Sequence, residues 1–548
     1  MKKSFLLFFC LTVAGFAFSQ EKPKLVVGIV VDQMRQEYLY RFENKFGANG
    51  FRRLMNDGFM LTNAHYNYIP TYTGPGHASV YTGSTPAVHG VIGNDWWDKS
   101  LKKTVNCVED EKQKPVGVED GNGDVSPWRL LSTTVTDELK LFTQKKSKVV
   151  GVSLKDRGAV LPAGHLADAA YWFDSKSGKF ISSTYYVKSL PTWAEAFNSS
   201  KAVDTYINKE WNTLLPIAQY TESGPDDSPY EKVLVGKDKP VFPYDLAKLN
   251  KANGGYDLLA HTAYGNDLLA DFAFAALKGE GLGKNSVTDF FTVSFSSTDL
   301  VGHLMGPNSV EVEDTYLRLD RNIEALLLKL DEEIGKDKYL VFLTADHAVV
   351  DVPQALKDAR VPAGYATKSK ALKDELNAFL QKHFPNKTLV ESVSNQQVFF
   401  NHEVFGDDPK SAGIELLIAT DLVANYMQSK EGVAQVFTRT TLKQASYNVG
   451  GIEGMMVRGF NHKRSGDVAF ELEPGWLDWS SAQGSSHGSS YSYDTHVPVL
   501  FYGKGVRKGS SAIRHDITDV APTISALLRI KFPSGCTGQP VVEIVDAK

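Results

Sequence analysis

Five short apolar runs punctuate the chain, and each meets polar residues at one end. Residues 24–31 (KLVVGIVV) stop at Asp32, and 148–154 (KVVGVSL) run into Lys155-Asp156-Arg157-Gly158. Residues 289–296 (DFFTVSFS) precede Asp299 and His303, and 339–344 (YLVFLT) precede Asp346 and His347. The fifth run, 497–502 (VPVLFY), follows His487. Runs this short cannot cross a membrane, and they suit strands buried on both faces. Between them lie amphipathic stretches with helical spacing at 47–57, 263–278, 310–334 and 519–530. Asn308 or Ser309 would cap the third of these, and Pro522 is tolerable in the first turn of the last. The alternation of strand and helix weakens over about 171–256 and 353–480, which read as two insertions in an α/β domain.

Composition changes this picture little. With 548 residues, 42% of them hydrophobic, the chain can bury a large core. A formal net charge of -5 gives no basic excess for a nucleic-acid partner. The N-terminus says more. Met1-Lys2-Lys3 is a basic head, residues 5–18 are apolar, and Ala17 and Ser19 are small where a signal peptidase reads. Residues 1–19 are expected to be a secretory signal peptide, leaving 20–548 as the mature domain. No second apolar stretch is long enough to span a bilayer, so a periplasmic or secreted protein without a transmembrane segment is expected. Cys107 and Cys536 would remain after cleavage, as one disulfide or two thiols.

Candidate chemistry follows from the strand ends, because parallel strands bring their carboxyl ends to one edge of a sheet. Asp32, Asp299, His303, Asp346, His347 and His487 are six oxygen and nitrogen ligands. That number suits two zinc-like ions with about three protein ligands each and positions left open. Two such ions about 4 Å apart would clamp the entering and leaving oxygens of an in-line phosphoryl displacement. Thr73 stands before Gly74-Pro75-Gly76-His77, a sharp turn that opens a helix whose N-terminal N–H groups favour an anion. A neighbouring metal would lower the hydroxyl pKa and make Thr73 a nucleophile. Asn94, Lys155 and Arg157 are donors for the equatorial oxygens of a phosphoryl group. Each piece alone has an ordinary reading as a cap, a turn or a solvated strand end. Their joint occurrence selects the catalytic one. His77, His89 and His496 are expected to brace loops.

The same pieces stand in a familiar order: Val31-Asp32, Thr73-Gly74-Pro75-Gly76-His77, Gly93-Asn94, Lys155-Asp156-Arg157, Asp299-Leu300-Val301-Gly302-His303, Thr344-Ala345-Asp346-His347 and Ser486-His487-Gly488. This order resembles the alkaline phosphatase superfamily and, within it, the exported, phosphate-insensitive alkaline phosphatases of flavobacteria. With the strand-end pattern, the resemblance implies a doubly wound, mainly parallel central sheet flanked by helices, with the insertions over the active-site edge. It implies a phosphomonoesterase of broad substrate range acting on small-molecule phosphoesters, and a monomer is expected. One of two Zn²⁺ would be held by Asp299, His303 and His487, the other by Asp32, Asp346, His347 and the Thr73 oxygen. Thr73 would form a phosphothreonine, later hydrolysed, while Asn94, Lys155 and Arg157 bind the phosphoryl group. Lys155 looks like the replacement for a third, magnesium site found in the serine-dependent branch.

Two other functions are compatible with the sequence. A phosphodiesterase or nucleotide pyrophosphatase of the same superfamily would use the same ligands and Thr73, but has less need of a Lys/Arg pair, since a diester carries one charge fewer. An exported, metal-stabilised binding protein would keep the ligands without a reason for Thr73.

Overall fold

The computed structural model describes residues 21–406 and 408–545. The signal-peptide segment lies outside the described residues.

A central eleven-stranded sheet carries the domain. From one edge its strands are Gly509–Ser511, Phe59–His65, His496–Gly503, Tyr339–Thr344, Leu25–Val31, Asp289–Phe295, Val149–Ser153, Ala169–Asp174, Lys179–Ser183 and Pro115–Val116, with His515–Asp516 also paired to Phe59–His65. The four central strands that the apolar runs predicted are mutually parallel. Every residue of Leu25–Val31, Asp289–Phe295 and Tyr339–Thr344 is buried, as expected for strands covered by helices on both faces. The architecture is the expected α/β one: a large, mostly parallel sheet flanked by helices.

Register brings the strand ends level. Val30 stands opposite both Ser294 and Thr344, and Ser294 stands opposite Ser153. The residues that follow therefore emerge at one edge. His496–Gly503 runs antiparallel to Tyr339–Thr344, with Val499 opposite Thr344. Its beginning, not its end, lies at that edge, which is why His487 precedes its strand while the other groups follow theirs.

The helices fall close to their expected positions: Phe51–Asp57, Ala263–Gly279, Val310–Glu333 and Val520–Leu528. Ser309 is the cap of the long helix, its hydroxyl accepting from Val312 N. The first insertion begins later than residue 171. Ala169–Asp174 pairs in parallel with Val149–Ser153, and Lys179–Ser183 folds back on it, so both belong to the central sheet. Within the expected second insertion lies a separate four-stranded sheet, ordered Val390–Ser394, Gln397–Phe400, Val468–Leu472, Val433–Thr438. Its separate core includes Leu372, Leu376, Val398, Phe400, Val423 and Met427. Cys107 and Cys536 are free thiols.

Candidate active site

Asp32, Lys155, Asp346 and His347 meet at the level strand ends, joined by Asp299 and His303 from the helix Ser297–Met305 and His487 from the loop before His496–Gly503. The ligand atoms of Asp299, His303 and His487 lie within 4.8 Å of one another, as do those of Asp32, Asp299 and His347. Asp346 Oδ2 is 3.7 Å from His347 Nε2. Asp299 thus lies between the two groups, and Asp346 joins the second through His347.

The imidazoles are oriented from behind. Nδ1 of His303 donates to Ser485 O (2.7 Å), Nδ1 of His347 to Ala348 O (3.0 Å) and Nδ1 of His487 to Thr71 O (2.7 Å). Each Nε2 is then a bare lone pair, and each faces a carboxylate oxygen: His303 to Asp299 at 3.0 Å, His487 to Asp299 at 3.6 Å, His347 to Asp32 at 3.4 Å. Lone pairs facing one another in a buried site call for cations between them. Two carboxylate oxygens, Asp32 Oδ1 and Asp346 Oδ2, are buried with no hydrogen-bond partner. Nitrogen and oxygen donors of this kind fit zinc-like ions.

Electrostatics point the same way. Burial holds His347 and His487 below the ordinary imidazole range, which favours their neutral forms. Burial also pushes Asp32 well above the usual carboxylate range, with Asp299 and Asp346 acting in the same sense. The Lys155 ammonium lies between Asp32 Oδ2 (2.7 Å) and Asp299 Oδ2 (2.5 Å). Against its burial, those two carboxylates keep it charged.

Thr73 is the first residue of the helix Thr73–Thr82 and is 1% exposed, its Oγ1 3.5 Å from His347 Nε2. The helix start differs from the expected free anion site in one respect. Gly74 N already donates to Asn94 Oδ1 at 2.7 Å. That bond turns the Asn94 oxygen away and leaves its NH₂ as the free donor. Arg157, in the first turn of Asp156–Ala163, has a buried Nε without a partner; its ion-pair partner among the described residues is Asp156, at 3.8 Å. His77 braces the Thr73 turn as expected, with Nδ1 on Thr73 O and Nε2 on Ser294 Oγ. His89 bonds Ser79, and His496 bonds Thr62 O.

Sequence reasoning missed two residues here. Gln33 has a left-handed backbone (φ 64), its N–H donates to Asp346 Oδ1, and its side chain donates to Asp299 Oδ1 at 2.7 Å. Its position directly after Asp32 was the one available signal. Trp479 stacks on the His303 ring, with centroids 5.6 Å apart, and nothing in its local sequence marks it.

The family model for type I phosphodiesterase / nucleotide pyrophosphatase matches residues 26–493, and the chain belongs to that family, within the alkaline phosphatase superfamily. It is 44% identical to alkaline phosphatase PafA of Elizabethkingia meningoseptica, over 98% of both chains. It is 43% identical to alkaline phosphatase PhoV of Synechococcus elongatus, over 96% of this chain and 93% of that one. A Myroides odoratus protein described as a calcium-transporting ATPase is 45% identical over 96% and 95%. Among the described residues no helix is long and apolar enough to cross a membrane. The crystal structure of wild-type PafA superposes with a TM-score of 0.91, covering 96% of this chain and 99% of that one.

Proposed function

We propose that this protein is an exported alkaline phosphatase that hydrolyses phosphate monoesters of broad range through a phosphothreonine on Thr73. The observation that carries the reading is the convergence of three bare imidazole Nε2 atoms, the Asp32, Asp299 and Asp346 carboxylates and the Thr73 hydroxyl on one buried edge. Asp299, His303 and His487 would hold one Zn²⁺, and Asp32, Asp346, His347 and Thr73 Oγ1 the other. When bound, the ions supply positive charge to the phosphoryl oxygens and lower the pKa of the oxygens they touch. Thr73 Oγ1 attacks phosphorus, the bond to the leaving oxygen breaks, and water then releases phosphate and restores Thr73. Asn94, through its free NH₂, and Arg157, through its unpartnered Nε, hold the transferring group. Lys155 keeps Asp32 and Asp299 in register and adds positive charge beside it.

Relatives support the substrate class, since two are alkaline phosphatases by name. A solved PafA variant replaces one threonine, one asparagine, one lysine and one arginine, the same four residue types in the same chain order. The family description favours the second reading, a phosphodiesterase. Hydrolysis of p-nitrophenyl phosphate against bis-p-nitrophenyl phosphate, with and without a zinc chelator, separates the two. Monoester preference lost on chelation and restored by zinc supports the proposal, and diester preference overturns it. Thr73→Ala should remove turnover while zinc content stays near two per chain. Export through cleavage of residues 1–19, to the periplasm or beyond, predicts a mature N-terminus near residue 20, readable by N-terminal sequencing. A monomeric mass in solution is expected.

A further inference from the structure

The segment that carries Asn94 is held by the second insertion, from three hundred residues downstream. Val390–Ser394 and Gln397–Phe400 form a hairpin joined by Asn395 and Gln396, both left-handed (φ 52 and 57). Two positive φ values in a two-residue connection are the mark of a type I′ turn, where Asn is favoured at the first position. Asn395 does more than make the turn. Its Nδ2 donates to the Asp95 carbonyl at 2.6 Å. The same amide lies so close over Gly93 that a Cβ there would collide with it. Asn94 is therefore flanked on one side by a glycine pressed under Asn395 and on the other by a carbonyl bonded to it. Asn94 in turn spans the nucleophile turn, with Oδ1 on Gly74 N and its own carbonyl on Cys107 N at 2.8 Å. A second bond ties this hairpin to the strand Asp95–Asp98, Trp97 Nε1 donating to Glu391 Oε2 at 3.0 Å.

We infer that Asn395 is a positioning residue: from the tip of the insertion hairpin it fixes the Gly93–Asp95 backbone and so aims the Asn94 amide at the phosphoryl group. The inference rests on the reading that Asn94 binds that group. It makes the insertion part of the apparatus that recognises the transferring phosphate.

The test is a double-mutant cycle on the zinc-loaded mature enzyme, with kcat/KM for p-nitrophenyl phosphate, inhibition by inorganic phosphate, zinc content and melting temperature as readouts. Asn395→Gly keeps a residue at ease with positive φ and removes the donor. Asn395→Asp keeps size and turn preference and also removes it. Both should lose about tenfold in kcat/KM, the scale of a small misplacement at the reacting centre. Phosphate inhibition should weaken in step, with zinc content unchanged. In an Asn94→Ala background, Asn395→Gly should add no further loss. Wild-type behaviour of both Asn395 variants, or a full tenfold further loss in the Asn94→Ala background, overturns the inference alone. Wild-type kcat/KM in Asn94→Ala overturns the assignment of Asn94 and the inference with it.

Discussion

Lys155 is the residue at which losing one charge is felt twice. Its ammonium separates the two buried carboxylates of Asp32 and Asp299. Lys155→Ala and Arg157→Ala should each lower kcat/KM for monoesters by about 10²–10³-fold, as lost contacts to a charged transition state do. Lys155→Ala should also raise zinc affinity, because Asp32 and Asp299 then repel with no internal cation between them and a bound ion relieves that repulsion. Arg157→Ala should leave zinc binding intact, since among the described residues its ion-pair partner is Asp156, outside the ligand cluster. Steady-state kinetics alongside zinc titration distinguishes the two. The contrast also marks what sequence could reveal at this scale. Asp32, Lys155, Asp299, Asp346 and His347 were legible because each sits beside an apolar run that could be read as a buried strand. Gln33 and Asn395 were not, because each acts through a left-handed backbone angle and a partner hundreds of residues away.

Among elements, the long helix Val310–Glu333 shows how an insertion is fastened. Asp314, fully buried, accepts from Trp211 Nε1 (2.7 Å), Leu214 N (2.6 Å) and Tyr220 OH (2.6 Å), and pairs with Arg318 (2.7 Å) on its own helix. Asp314→Ala would leave those donors buried and unpaired, so it should destabilise the fold by about 3–5 kcal/mol. Limited proteolysis should then cut within 212–222 before the central domain unfolds. The strand Val468–Leu472 gives a pH prediction. Burial pushes the Glu471 carboxyl up to about 8, opposed by Ser490 N and Oγ and reinforced by Asp494. A carboxyl with its folded pKa raised contributes stability that is present below the unfolded value, near 4.5, and lost as pH rises through 8. Glu471→Gln should therefore flatten the fall in melting temperature between pH 5 and about 9 and exceed the wild type at the alkaline end. A parallel decline in both proteins would count against it. Element boundaries were legible where periodicity was strong, as in Ala263–Gly279. The strands Ala169–Asp174 and Lys179–Ser183 were not, because the helix before them is only eight residues and the second strand, KFISS, is polar at both ends.

Over the whole molecule, the proposed ligands come from the start, middle and end of the chain, so holding metal and holding the fold would be coupled. Three carboxylates and three imidazoles converge from four places in the chain, two of which supply a pair each, with one lysine as the internal counter-charge. An ion that binds the folded chain and not the unfolded one stabilises it by mass action, about 2.7 kcal/mol at a hundred times its dissociation constant. Two ions at one edge should therefore raise the melting temperature measurably, and chelation should lower it together with activity. Zinc should restore both. Magnesium should restore neither, because it takes oxygen ligands in near-octahedral geometry and half of the donors here are imidazole nitrogens. Differential scanning calorimetry of the chelated, zinc-restored and magnesium-treated protein tests this. If the metal is gone by elemental analysis and the melting temperature has not moved, Lys155 alone balances the cluster, and the strand ends are preorganised without their ions. Recovery with magnesium would instead mean that oxygen donors dominate and that the bare Nε2 atoms of His303, His347 and His487 are not ligands.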